Sequence, residues 1–229
     1  MWLLAVDTSG RAASMALRRD GRLVASVTPE GAEQHSVALF GCLRRGLDEI
    51  GINLAAIDVY AVANGPGAFT ALRVGLSVVK ALAEMHQKPV VVVSVLEAVC
   101  QAAAADGLLV PLVDAYRGQI FAGLYEKNSS DLLARGPERV MTMEEYLAEL
   151  AAEGVRPAEC TLVGPQVERW LPRLGEFAAA RRESISPLLA EAVARRAEGK
   201  LARGDTVDAL RVQANYVRRS DAELLWKEK

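Results

Sequence analysis

Trp2-Leu3-Leu4-Ala5-Val6-Asp7-Thr8-Ser9 is an apolar run that ends in a carboxylate and two hydroxyls. A short continuous apolar run bounded by turn residues reads as a strand buried on both faces. Residues 2–7 are therefore expected as a strand, with Thr8-Ser9-Gly10-Arg11 as a polar turn. Residues 12–19 then alternate, Asp20-Gly21 carries a hairpin signal, and residues 22–27 read as a third strand. The design recurs in the second half. Residues 108–115 are apolar up to Asp114, Tyr116-Arg117-Gly118 supplies a connection holding a glycine, and residues 119–127 return as a strand. Two units that each open with an apolar strand, a terminal aspartate and a hairpin predict a duplicated α/β fold with a cleft.

The intervening sequence fills in the first unit. Residues 33–50 place Leu39, Phe40, Leu43, Leu47 and Ile50 at helical spacing, and Gly51 terminates them. Residues 58–64 read as a strand that runs into Gly65-Pro66-Gly67, residues 69–85 as a helix, and residues 89–93 as another buried strand. That order predicts a mixed sheet with helical crossovers. In the second unit, residues 142–152 read as a helix whose N-cap Thr142 forms a capping box with Glu145. A strand over residues 160–163 follows, and Ser186-Pro187 is expected to open a last helix through Arg196. The domain boundaries follow: residues 1–105 form the first domain, completed by the C-terminal segment 205–229, and residues 106–204 the smaller second one.

Composition narrows the chemistry. Of 229 residues, 27 are Lys or Arg and 29 Asp or Glu, so the net charge of -2 creates no field that would hold a polyanion unaided. Cys42, Cys100 and Cys160 are widely spaced, and the two histidines, His35 and His86, are too far apart to share a helical turn. Neither a disulfide framework nor a zinc site is expected. The N-terminus lacks the basic region of a signal peptide, and no run approaches the roughly 18 apolar residues of a membrane span, so a cytoplasmic protein with no membrane partner is expected.

The segment Asn64-Gly65-Pro66-Gly67-Ala68-Phe69-Thr70-Ala71-Leu72-Arg73-Val74-Gly75 places a glycine turn between a strand and a helix, a position where backbone N–H groups can receive an anion. Its spacing is that of neither a phosphate-binding P-loop nor a dinucleotide fingerprint, and the residues alone favour a tight turn without ligand. The helix that follows is apolar nearly all round, which asks for burial on both sides. Two outcomes are open: this helix and the one at 33–50 pack only on each other, or they also meet a second chain. The extent of apolar surface favours the second, with His35, Ala38, Leu39, Gly41, Cys42 and Arg45 on one helix and Phe69, Leu72, Arg73, Leu76, Val79 and Lys80 on the other. Asp7, Thr8 and Ser9 sit where a hairpin could grip a phosphate, with Asp114 at the corresponding place in the second unit. The arginine pairs 181–182, 195–196 and 218–219 read as solvated surface.

The two-unit layout resembles the actin, Hsp70 and sugar-kinase (ASKHA) superfamily. More specifically, Ala5-Val6-Asp7-Thr8-Ser9, His35-Ser36, the segment 64–75, Pro111-Leu112-Val113-Asp114-Ala115-Tyr116-Arg117-Gly118-Gln119-Ile120-Phe121 and the ending Asn215-Tyr216-Val217-Arg218-Arg219-Ser220-Asp221-Ala222-Glu223 resemble the TsaB (YeaZ) family over nearly the whole chain. The family's usual Gly-Pro-Gly-Ser-Phe-Thr-Gly-Leu-Arg has Ala68 and Ala71 here in place of the serine and the later glycine. The resemblance implies a part in forming N6-threonylcarbamoyladenosine on tRNAs that read codons beginning with A, as a non-catalytic scaffold and activator of its paralogue TsaD. It further implies heterodimerisation through helices 33–50 and 69–85, a ternary assembly with the ATPase TsaE, a homodimer when alone, and contact with tRNA only indirectly. TsaD-type relatives carry Asn-His-Leu-Glu-Ala-His where this chain reads Ser94-Val95-Leu96-Glu97-Ala98-Val99, so valines stand at the places of the metal-binding histidines. An isopropyl group has no lone pair to offer a metal. No independently bound cofactor is implied, with ATP or ADP allowed only at the interface with TsaD. The alternative reading is a nucleotide-binding phosphotransferase of the same superfamily, with Asp7, Thr8 and Ser9 at its nucleotide site.

Overall fold

The computed structural model describes residues 1–28, 35–129 and 131–218, with the side chains of residues 35–38 outside the description. The chain divides into two compact units. Unit 1 comprises Met1–Ala98 with Leu188–Asn215, and unit 2 comprises Val99–Pro187 with the segment from Tyr216 onward. Unit 1 thus takes in the segment from Leu188 as well as part of the C-terminal segment 205–229 expected to complete it.

Unit 1 is built on a five-stranded sheet of order β3-β2-β1-β4-β5. The strands are β1 (Trp2–Asp7), β2 (Ser14–Arg19), β3 (Arg22–Val27), β4 (Val59–Ala63) and β5 (Val90–Val93). The opening meander forms as the sequence predicts, with β1 and β2 antiparallel from Trp2↔Arg19 to Asp7↔Ser14. The pairings β1 to β4 and β4 to β5 are parallel, so crossovers are required. They are supplied by α1 (His35–Ile50) and α2 (Phe69–His86). Every residue of β4 is buried, as is all of β1 after Trp2. Alternation along the strands explains it. Leu4, Val6, Tyr60 and Val62 share a core with Leu39 and Leu43 of α1 and Leu72, Leu76 and Val79 of α2. Their neighbours Leu3, Ala5 and Ala61 point to the opposite face, where α5 (Ala190–Ala202) packs on β1, β2, β4 and β5. Each fully buried leucine in such a core contributes about 1.5–3 kcal/mol.

Between these elements lies α3 (Val95–Ala102), a helix the sequence analysis does not anticipate. Its eight residues are too few for a periodic signal. A start signal was nevertheless present: Ser94 Oγ accepts from the Leu96 amide at 3.0 Å, and Glu97 Oε2 from the Ser94 amide at 3.1 Å. The helix expected from Ser186-Pro187 begins later, at Ala190, where the cap comes from another element: the Ala190 amide bonds to Ser14 Oγ at 3.2 Å.

Unit 2 has its own mixed sheet, with β10-β7-β6-β11-β12 in order, β8 attached to β6 and β9 to β8. The strands are β6 (Gly107–Tyr116), β7 (Gln119–Ala122), β8 (Tyr125–Lys127), β9 (Leu132–Ala134), β10 (Arg139–Thr142), β11 (Cys160–Gly164) and β12 (Arg181–Ser184). The single strand expected over 119–127 is two, because long β6 pairs with β8 along its first residues and with β7 along its last. Helix α4 (Met143–Ala152) opens with the expected box, Thr142 Oγ1 accepting from the Glu145 amide at 3.3 Å and Glu145 Oε2 from the Thr142 amide at 2.9 Å. Tyr146, Leu147 and Leu150 of α4 pack with Val110, Leu112, Leu162, Trp170 and Phe177 into the core of this unit. No helix among the described residues is long and apolar enough to cross a membrane.

Candidate functional site

Strand β1 delivers Asp7 to the interior of unit 1, fully buried, with Thr8 and Ser9 nearly so. Asp7 Oδ1 accepts from the Ser9 amide at 2.9 Å and from Ser9 Oγ at 2.7 Å. Its Oδ2 has no hydrogen-bond partner. Burial pushes the Asp7 carboxyl above its usual range, with the Ser9 hydroxyl and amide, and the Leu189 amide, pulling it back in part. Thr8 turns the other way and donates from Oγ1 to the Ala71 carbonyl of α2 at 2.7 Å. The structure brings these three side chains together, and their hydrogen bonds run to each other and to α2.

The Gly-Pro-Gly loop lies directly beside them. A Cβ on Gly67 would stand 2.9 Å from the Ser9 carbonyl oxygen, and one on Gly65, at φ +119°, would stand 2.7 Å from the Asn215 carbonyl oxygen. The Val95 amide donates to the Gly65 carbonyl at 2.7 Å, and the Asn215 amide to the Asn64 carbonyl at 2.7 Å. Three chain segments therefore close on this loop, and its glycines are needed because other backbone occupies the space of a side chain. Ala68, at the N-cap of α2, makes no side-chain cap bond. The Arg73 guanidinium lies over the Phe69 ring, 3.9 Å from its centroid.

The residues expected to line a partner surface divide into two groups. Leu39, Cys42, Leu72, Leu76 and Val79 are at most 6% exposed and belong to the core of unit 1. For these five the expectation of an open surface is corrected: they hold α1 and α2 against the sheet. Gly41, Arg45 and Arg73 are exposed, Phe69 and Lys80 are half-buried, and the side chains of His35 and Ala38 lie outside the described residues. Lys80 Nζ donates to the Val212 carbonyl at 3.2 Å. Two apolar residues on these helices were missed. Phe40, read as core, is 53% exposed, and Met85 is 72% exposed. Phe40 sits one position from the buried Leu39, so a generous helical stripe counts it as core although its side chain turns outward.

Val95 and Val99 of α3 are both packed inside, 2% and 0% exposed. Glu97 between them receives Arg196 at 2.7 Å and Lys200 at 3.5 Å, both from α5. Arg196, expected on the surface, is 8% exposed, its charge compensated by Glu97. The pair 181–182 lies on β12, with Arg181 exposed and Arg182 half-buried. Arg218 is half-buried, and Arg219 lies outside the described residues.

A family model described as TsaD: tRNA N6-adenosine threonylcarbamoyltransferase matches residues 24–220. The chain is 27% identical to the tRNA threonylcarbamoyladenosine biosynthesis protein TsaB of Bacillus subtilis, with 100% of this chain and 99% of that one covered. It is 38% identical to the tRNA N6-adenosine threonylcarbamoyltransferase of Trichlorobacter lovleyi over 40% of this chain and 31% of the enzyme. Among solved structures it is similar to YeaZ from Pseudomonas aeruginosa, with a TM-score of 0.77 and 29% identity, covering 94% of this chain and 99% of the other.

Proposed function

The chain belongs to the tRNA N6-adenosine threonylcarbamoyltransferase (TsaD) family, on the side of its TsaB (YeaZ) members, and from that premise we propose that it is a non-catalytic scaffold that activates a TsaD transferase. It serves formation of N6-threonylcarbamoyladenosine on tRNA in the cytoplasm, and the chemistry resides in TsaD. The observation that carries this reading is the interior of α3. Where the transferases it resembles have metal-binding histidines, Val95 and Val99 are packed in the protein core, and the intervening Glu97 is committed to Arg196 and Lys200. Aliphatic groups supply neither a ligand nor a proton-transfer group.

The assembly uses the outward faces of α1 and α2. Leu39, Leu72, Leu76 and Val79 anchor both helices to the sheet from beneath. Above them, Phe40, Gly41 and Arg45 on α1 and Arg73, Ala81 and Met85 on α2 remain exposed. Bulky apolar side chains beside small ones, rimmed by arginines, suit helix packing against a partner. That partner is TsaD, with TsaE joining the complex, and in their absence a second copy of the chain takes the same face. The nucleotide, ATP or ADP, belongs to the interface with TsaD.

The test is reconstitution of the tRNA modification from threonylcarbamoyl-AMP, tRNA and TsaD, with and without this protein. Modification that depends on its addition, while the chain alone gives none, is the expected result. Equal modification without it, or turnover of ATP by the isolated chain, contradicts the proposal.

A further inference from the structure

We propose that the cavity at the C-terminal end of α2 binds the zwitterion of a small α-amino acid, its carboxylate at Lys88 and its ammonium between Glu84 and Asp208. Both sides of the cavity are fixed by backbone. On one side α2 ends at His86, and Gln87, at φ 52° and ψ 48°, turns the chain through the left-handed region. The Gln87 amide donates to the Ala83 and Glu84 carbonyls, and the Lys88 amide to the Ala83 carbonyl at 3.0 Å. Pro89 then forbids any continuation of the helix. On the other side Val207 pairs with Val90 at the start of β5, by N–H to carbonyl bonds of 3.0 and 2.8 Å in the two directions. Asp208 follows at once and caps the single turn Ala209–Arg211, its Oδ1 accepting from the Leu210 amide at 2.8 Å. Between the two sides lies a volume of about 270 Å³.

Three charged residues line this cavity: Glu84, Lys88 and Asp208. A glutamate four residues before a lysine pairs with it on a continuous helix. Here the left-handed turn at Gln87 comes between them, and among the described residues none of the three charged side chains takes part in an ion pair. A simple anion entering the cavity meets two carboxylates, and a simple cation meets an ammonium. A molecule that carries both charges a few bonds apart satisfies all three groups at once. Thr206 adds a hydroxyl, and Gln87, whose Nε2 is spent on the Glu84 carbonyl at 2.7 Å, keeps Oε1 as an acceptor. The negative end of the α2 dipole favours the ammonium on the Glu84 side. Ala83, Pro89, Val207 and Ala209 supply the apolar part of the wall, which suits a short aliphatic side chain. The volume falls below the roughly 300–1,000 Å³ that encloses drug-sized ligands, so the occupant has few atoms. The site lies within unit 1 and rests on no part of the tRNA-pathway reading.

The experiment is a titration of the isotope-labelled full chain with L-alanine, followed by NMR at the backbone amides of Gln87, Val207 and Asp208, with ethylamine and propionate as probes of one charge each. Saturable shifts at these amides in the millimolar range are expected for L-alanine. Each single-charge probe should bind about fivefold more weakly or worse, as for the loss of one partly solvated charge pair. Lys88→Gln and Glu84→Gln should each weaken L-alanine binding by about the same factor. Asp208→Asn should do so too while keeping an acceptor for the Leu210 amide, and thermal melts check that all three variants fold. The inference is overturned if L-alanine gives no saturable shifts in the millimolar range, if ethylamine or propionate binds as tightly as L-alanine, or if the folded variants bind L-alanine like wild type. Loss of binding in the acidic variants with Lys88→Gln unaffected would also overturn it, since the site would then recognise only an amine.

Discussion

The hydroxyl of Thr8 occupies the space that a side chain on Gly75 would need. From the end of β1 it donates to the Ala71 carbonyl at 2.7 Å, and a Cβ built on Gly75 collides with Oγ1 and comes within 3.2 Å of Cγ2. The first turns of α2 therefore lie against β1 at a distance that only glycine permits, and this contact fixes where the Gly-Pro-Gly loop begins its helix. Gly75→Ala should destabilise unit 1 by about 1–3 kcal/mol, the range for overpacking a buried site. Thr8→Ala removes both colliding atoms, so the double variant should recover part of that loss. A coupling of at least about 0.5 kcal/mol in a urea-denaturation cycle is expected; strict additivity would show that the two residues do not share this space.

Asp7 should leave a signature in the pH dependence of stability. Its folded pKa is raised by burial, so between the unfolded value, about 3.9, and the folded one the native state binds more protons than the unfolded chain. Stability contributed by this group is present at low pH, declines as pH rises through that window, and is constant above it. Asp7→Asn keeps an acceptor for Ser9 and cannot ionise. Relative to wild type, the variant should therefore look progressively better as pH rises from 4 towards neutrality. Parallel denaturation curves across that range, with no change in the difference, would show that Asp7 ionises as freely in the folded protein as in the unfolded one.

The N-terminus of α2 invites a gain instead of a loss. Ala68 has the extended backbone of an N-cap, φ -64° and ψ 118°, and no side chain to use there. Its side chain is exposed, so a serine fits without repacking. Ala68→Ser should stabilise the protein by about 1 kcal/mol, the usual worth of a capping hydroxyl, read as a higher midpoint in chemical denaturation. A midpoint equal to or below that of wild type would mean that the amides at this helix end already have partners.

Much of the fold was legible because its signals are local. Period-two and apolar runs located β1 to β5, and Thr142 with Glu145 announced α4. Failures occurred where a distant residue makes the decision. Helix α5 starts at Ala190 because Ser14, far away in sequence, receives its amide, and no propensity at Ser186-Pro187 reveals that. Arg196 looks like surface in the sequence and is buried because Glu97 of α3 reaches it. Asp7, Thr8 and Ser9 are adjacent in the sequence, but the inward hydrogen bond of Thr8 depends on the arrival of α2. On α1 the stripe was wide enough to take in Phe40, which only the packing geometry separates from Leu39.

The ion pairs joining α3 to α5 should respond asymmetrically to substitution. Glu97 is shared by Arg196 and Lys200, and Lys200 also pairs with Asp205 at 3.2 Å, so Glu97→Leu takes the carboxylate from Arg196 in a site that is mostly closed to water and leaves Lys200 with Asp205. A loss of about 3–5 kcal/mol is expected for breaking such a pair from one side. Arg196→Met removes one cation and leaves Glu97 with Lys200 and the Ser94 amide, so it should cost less. The pair Glu97→Leu with Arg196→Met should be milder than Glu97→Leu alone. The reverse order of stabilities would indicate that packing of the Arg196 stem, and not charge compensation, holds the two helices together.

The outward faces of α1 and α2 separate two kinds of substitution on the same helices. Leu76 is 6% exposed and packed among the core residues of unit 1, so Leu76→Glu buries an unpaired carboxylate and should unfold the domain. Any assembly it abolishes would say nothing about a surface. Phe40 and Met85 are largely exposed, and glutamate at either place is solvated in the monomer at little cost to folding. In a partner interface the same charge is desolvated without a counter-ion, and each substitution should weaken association at least tenfold. Co-purification and size-exclusion chromatography with TsaD, beside circular dichroism of the isolated variants, separates these cases. Phe40→Glu and Met85→Glu proteins that fold normally and still assemble like wild type would place the partner on another face of the molecule.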